Sequence, residues 1–304
     1  MARTRVVTLP GRSLAGRPVA LVLLAVVSVQ FGGALAATLL PIVGVVGSVT
    51  LRLVLATAVL WLFVRPRLRG RSAADWSVVG LFAVALTTMN LAFYGSLARL
   101  PIGVAVTIEF LGPLALAAVL SRRVRDGAAV LAALLGVTLI SGALTTPWAE
   151  LDLVGILLAA SAGACWAAYI VLSRRTGARF AGLDGIAICM ALGAVVMLPV
   201  GLLTAGTDLW SADVLLRGLG IALLSSAVPY SLELLALRRL RSGTFGVLLS
   251  LEPAAAALAG LLVLGQVLSA PQLVGMVLVV TASIVVLGRP RAGEPLPDAS
   301  PSGR

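Results

Sequence analysis

The chain has 304 residues, a mean hydropathy of +1.09 and a formal net charge of +11. Hydrophobic residues make up 60% of it and charged residues only 12%, which excludes an ordinary soluble domain and favours a protein that spans a membrane many times. Histidine and lysine are both absent. An imidazole metal site, a histidine proton relay and a lysine-dependent phosphate loop for ATP are therefore excluded.

Apolar stretches of about 20 residues, the length that a helix needs to cross roughly 30 Å of hydrocarbon, recur along the whole chain. We predict about ten spans, at 19–40, 44–64, 76–98, 101–120, 127–146, 152–173, 183–206, 213–237, 243–264 and 271–288. The segment 1–18 precedes them, and the proline-rich segment 289–304 is predicted to be a disordered tail. The sequence thus predicts an all-α membrane protein.

The arginines predict the orientation of this chain in the membrane. If the loops alternate sides, 20 of the 23 basic residues fall on the side of the N-terminus, only Arg99 and Arg217 fall on the other side, and Arg52 lies within the second span. The positive-inside rule then places both termini in the cytoplasm, and this clustering between apolar runs argues against nucleic-acid binding. An alternative treats the first span as a cleavable signal ending near Ala34-Leu35-Ala36, which would leave nine spans.

The two halves of the chain are predicted to be repeats of five spans, at 19–146 and 152–288. A shift of 140 positions superposes Gly103 on Gly243 and Pro113 on Pro253, each within the fourth span of its half. An odd number of spans makes the repeats inverted, and such proteins bind substrate near the bilayer midplane between the halves. Pro113 and Pro253 are therefore expected to interrupt helices beside a polar cavity.

Charged residues inside apolar spans usually mark a transport path, because charge at bilayer depth is costly. Arg52 and Glu109 both lie near the middle of their predicted spans. We expect Glu109 to take up and release a proton during transport. The alternative is a structural carboxylate that is permanently paired with Arg52.

Two further carboxylates lie in the second half of the chain. Glu252 directly precedes Pro253, so it either accepts hydrogen bonds from a broken helix or serves as a second proton site. Glu233 lies close to Arg238 and Arg239 at the predicted cytoplasmic end, which favours an ion pair at the surface or at a gate.

Polar and aromatic side chains within the spans are candidates to line the cavity. They are Gln30, Asn90, Tyr94, Trp166, Tyr169 and Tyr230. The alternative reading is that they form hydrogen bonds between helices, for which membrane proteins use the same residue types.

Short motifs in both halves resemble one known family. They are SVQFGG at 28–33, LRL at 51–53, MN at 89–90 with FY at 93–94, EFLGP at 109–113, GACWAAY at 163–169, PYSLE at 229–233, RL at 239–240, TFG at 244–246 and LEPA at 251–254. Together they resemble the threonine/homoserine exporter family, of the EamA type in the drug/metabolite transporter superfamily. One departure is Gln266, where members of the superfamily commonly carry an acidic residue after Leu-Gly.

The resemblance implies a ten-helix exporter of small amino acids in the bacterial inner membrane, driven by proton antiport. It implies small amino acids, protons and the lipid bilayer as partners, no nucleic acid, and neither a cofactor nor a metal; homodimer formation stays open. For a zwitterion, Arg52 has a planar fork that grips a carboxylate, and an ionised Glu109 would hold the ammonium group.

Two other functions remain in view. A drug or other metabolite exporter on the same scaffold would accept amphipathic cations with Glu109 as their counter-ion. An intramembrane enzyme is disfavoured because the chain has no histidine and no base near Cys165 or Cys189.

Overall fold

The computed structural model describes residues 16–121, 152–237 and 251–287, with positions 128, 131–132, 135–136, 139, 239–240 and 248–249 between them. These residues form helices and no strand. The helices are α1 Gly16–Ala37, α2 Leu40–Val64, α3 Ala73–Leu97, α4 Ile102–Ser121, α5 Leu153–Arg179, α6 Asp184–Ala205, α7 Ala212–Ala222, α8 Val228–Leu237, α9 Glu252–Leu264 and α10 Ala270–Leu287. A 3₁₀ turn, Gly206–Trp210, follows α6, and a π-helical turn, Leu223–Ala227, joins α7 to α8 without a break in the helical run.

Local sequence explains several helix ends. Ser72 and Asp75 form a capping box at the start of α3, in which each side chain accepts a hydrogen bond from the other residue's backbone N–H. Near the start of α2, Gly44 interrupts the helix with a φ of 67° that favours glycine. Gly265 ends α9 in the left-handed conformation.

The outer surface of the described helices is strongly apolar. Leu203 and Phe63 are 87% and 79% exposed, although both are large hydrophobic side chains. Six helical segments are long and apolar enough to cross a membrane: Arg17–Ala37, Leu40–Val64, Ala73–Leu97, Leu153–Arg179, Asp184–Trp210 and Ala212–Glu233. Exposed leucine and phenylalanine side chains on such helices are the surface that lipid tails cover.

Helix packing brings the two halves of the chain together. α5 packs against α3 and α4, α6 packs against α2, and α1 packs against both α8 and α9. Small residues permit some of these approaches: Gly201 of α6 lies directly on the Thr50 side chain of α2. The described helices therefore surround a common interior to which α1 to α5 and α8 to α9 all contribute.

The observed helices match most predicted spans to within a few residues. One difference lies at the end of the sixth predicted span, because α5 continues six residues beyond 173, to Arg179. Another lies at the start of the ninth span, which was predicted from 243, whereas α9 begins at Glu252. The predicted span at 127–146 lies outside the described residues apart from isolated positions, as do segments 1–15 and 288–304. The shift of 140 positions that suggested the repeats can be checked only in part, because Gly243 also lies outside the described residues.

Candidate functional site

A cavity of about 60 Å³ lies between α1, α2, α3, α4, α5, α8 and α9, and we refer to it as the central cavity. Its lining residues are Val29, Gln30, Gly33, Arg52, Met89, Asn90, Phe93, Glu109, Trp166, Ser225, Tyr230, Glu233 and Glu252. At 10–15 Å³ per water molecule, this volume has room for roughly four to six waters. The site thus has the dimensions of a small polar molecule.

Three carboxylates and one guanidinium line this cavity. Glu109, Glu233, Glu252 and Arg52 are exposed to only 8%, 6%, 4% and 4%. Buried charges are costly unless they are paired or functional. Four ion pairs join described residues, all near helix ends, and none of them involves Arg52. The permanent pair between Arg52 and Glu109 that the sequence left open is therefore not formed as a direct contact.

Arg52 is instead held by hydrogen bonds. Its Nε donates to Ser226 Oγ at 2.7 Å, and Nη2 donates to the Ser225 carbonyl at 2.6 Å and to Tyr230 Oη at 2.9 Å. Its Nη1 donates to Tyr94 Oη at 3.3 Å. A guanidinium has five N–H bonds, so one N–H on Nη1 remains for a ligand.

The bidentate grip on a carboxylate that the sequence suggested needs two free N–H groups on one edge of Arg52. Four of the five guanidinium N–H groups already donate to Ser225, Ser226, Tyr94 and Tyr230. Only one N–H group is therefore free to bind a ligand. Arg52 is thus an anchor between α2, α3 and the π-helical turn, with one donor left over.

The π-helical turn presents Ser225 to the cavity. Ser225 Oγ is fully buried and has no hydrogen-bond partner among the described residues. Two contacts with α1 fix the turn: Ser28 Oγ donates to the Leu224 carbonyl at 2.7 Å, and Gly32 lies so close that an added Cβ would overlap Ser225 Oγ. π-helical turns are rare and occur frequently at functional sites.

The three carboxylates differ in their partners. Gln30 Nε2 donates to Glu252 Oε2 at 3.2 Å, and Tyr169 Oη donates to Glu233 Oε2 at 3.3 Å. The Glu109 carboxylate accepts no hydrogen bond from another described residue. Of the three, Glu109 is therefore the carboxylate with the most capacity to accept a proton or a cation.

The structure brings most of the predicted site residues together. Those that line the central cavity are Arg52, Glu109, Glu252, Gln30, Asn90, Trp166 and Tyr230. Tyr94 does not line it and instead accepts a hydrogen bond from Arg52, while Tyr169 lines a neighbouring cavity. The side-chain amide of Asn90 donates to the Leu86 carbonyl of its own helix.

Two predictions about individual positions need correction. Glu233 lies in the central cavity and not at the surface; it makes no ion pair with Arg239, while Arg238 lies outside the described residues. Pro253 lies in the first turn of α9, where a missing N–H costs no helical hydrogen bond, whereas Pro113 does lie inside α4.

Sequence reasoning missed several cavity residues, namely Val29, Gly33, Met89, Phe93 and Ser225. The pair Ser225 and Ser226 in the middle of an apolar run was the available signal. Gln266, flagged as a departure from the superfamily, lies against Gly260 of α9 and does not line the cavity. Among the described residues, no group of three or more acidic or cysteine side chains is arranged to hold a metal ion.

Comparison with known proteins agrees with the motifs. The chain is 42% identical to the threonine/homoserine exporter RhtA of Escherichia coli (strain K12) over 268 residues, which cover 88% of this chain and 90% of that protein. It is 41% identical over the same length to RhtA of Salmonella typhimurium (strain SL1344). The chain belongs to the EamA-like family of threonine/homoserine exporters.

One further comparison concerns the family and another concerns the fold. The model of the EamA-like transporter family matches residues 153–288. A solved crystal structure, 18% identical, superposes with a TM-score of 0.63 and covers 90% of this chain and 96% of that one, which shows that the fold is shared. With six apolar helices of membrane length among its described residues, this EamA-like chain is a multi-pass bacterial membrane protein.

Proposed function

We propose that this protein exports small amino acids of the threonine/homoserine class by proton antiport, with alternating access to the central cavity. The observation that carries the proposal is the meeting of Arg52 with Glu109, Glu233 and Glu252 in one buried cavity. The sequence identity to RhtA supports the same substrate class. No enzymatic step is part of this proposal.

The cavity offers groups for both ends of a zwitterion. The remaining N–H of Arg52 and the hydroxyls of Ser225 and Tyr230 can donate hydrogen bonds to a carboxylate. The Glu109 carboxylate, which has no hydrogen bond among the described residues, is available to the ammonium group. Because Glu109 would bind either a proton or the ammonium group, substrate and proton compete for it, as antiport requires.

We place ten spans in two inverted repeats, at 19–146 and 152–288, with both termini in the cytoplasm. Support comes from the arginine-rich helix ends and from the family match, which begins at 153 and coincides with the second repeat. Fusion of a fluorescent protein after residue 304 should give a bright cytoplasmic signal. A fused periplasmic phosphatase that is active at that position would reverse the orientation.

Uptake of labelled homoserine or threonine into inside-out vesicles tests the proposal. An acidic interior should drive accumulation by the natural chain and not by Glu109→Gln. Asp213→Asn is the matched control, because it removes a carboxylate from the exposed surface of α7. A folded Glu109→Gln variant that keeps full acid-driven uptake would refute the proton role.

A second candidate function is export of amphipathic cations. The observation that favours it is charge: the cavity has three carboxylates and one guanidinium whose N–H groups are mostly occupied. Vesicles that accumulate a cationic dye and leave homoserine outside would favour this function.

A further inference from the structure

Three cavities follow one another from the central cavity to the surface. A small cavity of about 10 Å³, here named the middle cavity, lies between α3, α5, α6 and α8, and Tyr230 lines both it and the central cavity. A surface pocket of about 490 Å³, here named the arginine pocket, is lined by Arg67, Arg69, Arg71, Ala181, Gly182 and Asp184. Gly182 lines both the arginine pocket and the middle cavity. Neighbouring cavities in this series therefore share a lining residue.

Unpartnered hydroxyls lie along this series. Among the described residues, three buried side-chain oxygens have no hydrogen-bond partner, those of Thr57, Thr176 and Ser225. Thr176 lines the middle cavity and Ser225 lines the central cavity. Buried hydroxyls almost always find a partner in protein or water. Their position beside cavities indicates that these cavities take up water or a polar solute.

Aromatic rings separate the central from the middle cavity. Tyr169 contacts Tyr230 at a centroid distance of 5.6 Å and Phe82 at 5.3 Å. Both tyrosine hydroxyls are tied to charged groups of the central cavity, Tyr169 to Glu233 and Tyr230 to Arg52. A substrate that binds these charged groups competes for the same hydrogen bonds, so its arrival and the position of the rings are coupled.

The arginine pocket has an excess of positive charge. Arg71 is held in place, because Nη2 contacts Asp184 at 3.1 Å and the guanidinium lies 4.5 Å from the centroid of the Phe180 ring. Arg67 and Arg69 are exposed, and their guanidinium groups make no ion pair with a described residue. Two exposed guanidinium groups beside one ion pair are suited to bind a carboxylate reversibly.

We propose that the arginine pocket is the cytoplasmic vestibule of the transport path: the carboxylate of an amino acid binds Arg67 and Arg69 there, and the molecule then passes Tyr169 and Tyr230 into the central cavity. The inference rests on the proposed export of amino acids. Phospholipid headgroups are the competing ligand for these arginines. A solute is favoured because the arginine pocket shares Gly182 with the middle cavity, which in turn shares Tyr230 with the central cavity.

Homoserine uptake into inside-out vesicles tests the vestibule. Because local positive charge concentrates an anionic group, Arg67→Gln/Arg69→Gln should lower Vmax/KM about three- to tenfold at low ionic strength, mainly through KM, and weaken its salt dependence. The matched control is Arg174→Gln/Arg175→Gln, which also removes two exposed charges, here near the C-terminal end of α5 and outside the pocket lining. Equal effects of the two double variants, or none from the first, would overturn the proposal. If Arg67→Gln/Arg69→Gln lowers Vmax/KM only in vesicles that contain anionic lipids, these arginines bind lipid headgroups and the vestibule is refuted.

Cysteine labelling tests the path without reference to transport. In a Cys165→Ala/Cys189→Ala background, Thr176→Cys should react with a charged, membrane-impermeant thiol reagent from the cytoplasmic face, and homoserine should slow the reaction. Ala159→Cys, a fully buried position of the same helix outside the cavities, is the control. Labelling of T176C no faster than A159C would overturn the path. If the reagent labels T176C but the protein transports no amino acid, the proposed function and the amino-acid vestibule are refuted, while the path itself stands.

Discussion

Gly112 of α4 and Gly163 of α5 meet backbone to backbone. A Cβ added at Gly112 would overlap the Gly163 carbonyl oxygen, and a Cβ added at Gly163 would lie 2.5 Å from the carbonyl oxygen of Glu109. The close approach of these helices therefore sets the position of the Glu109 backbone. The EFLGP and GACWAAY motifs are thus two sides of one contact.

Replacing Gly163 by alanine should separate α4 from α5. Overpacking of this kind costs about 1–3 kcal/mol, and the shift also displaces Glu109, so Gly163→Ala should lower both the melting temperature in detergent and homoserine uptake. Gly103→Ala on α4 is the control, because a Cβ there meets nothing within 4 Å. Unchanged melting and uptake for Gly163→Ala would show that the helices are not in this close contact.

The hydrogen bonds of Arg52 predict that another positively charged side chain, such as lysine, cannot replace it. Lysine has three N–H donors and no planar fork, so Arg52→Lys leaves several of the polar acceptors around it without a donor. Each lost charge-assisted bond costs about 1.5–3 kcal/mol. We expect Arg52→Lys to lose stability and uptake, and Ser226→Ala, which removes only the acceptor at 2.7 Å from Nε, to lose part of the stability.

Arg217→Lys on the exposed surface of α7 is the control for Arg52→Lys. Thermal melting in detergent and vesicle uptake measure the two effects separately. Wild-type melting and uptake by Arg52→Lys would contradict the anchoring role.

The cap of α5 predicts a pH dependence outside the membrane span. The backbone N–H of Gly155 and then the Arg99 guanidinium hold the pKa of Asp152 below its ordinary value. A lowered pKa in the folded state means that the stabilisation is present above about pH 4 and is lost as the pH falls through the folded-state pKa.

Melting curves from pH 7 down to pH 3 check this dependence. Asp152→Ala should melt below the wild type at pH 7, and the gap should shrink below about pH 4. Asp152→Asn keeps a capping oxygen without a titrating group, so it should retain most of the capping at every pH. A gap that stays constant down to pH 3 would rule out the ionised cap as its cause.

The sequence alone predicted the helices because a membrane helix is specified by the length of an apolar run. It did not predict the π-helical turn at Leu223–Ala227, since π and α turns share the same apolar composition. It also misjudged which way Tyr94 and Tyr169 face. Helices that are apolar all round carry no periodicity that fixes their rotation, so only packing determines which side chains face the cavity.

Charged residues within the spans were better guides than aromatic ones. Arg52, Glu109 and Glu252 were expected in a polar cavity because each is too costly to face lipid, and all three line it. Glu233 was assigned to the surface from its nearness to Arg238 and Arg239 along the chain. Glu233 instead lies in the buried cavity and makes no ion pair with Arg239, which sequence distance alone does not reveal.

Tyr94 and Tyr230 form a matched pair for testing the cavity, because both hydroxyls accept a hydrogen bond from Arg52 but only Tyr230 lines the cavity. Each change to phenylalanine removes one acceptor, so both variants should melt at a slightly lower temperature. Only Tyr230→Phe also removes a hydroxyl that can donate to substrate. We expect it to raise the KM for homoserine about tenfold, the effect of losing roughly 1.4 kcal/mol of binding, while Tyr94→Phe keeps KM within about twofold. An equal rise in KM for both variants would mean that these tyrosines act through Arg52 alone and that the substrate does not contact Tyr230.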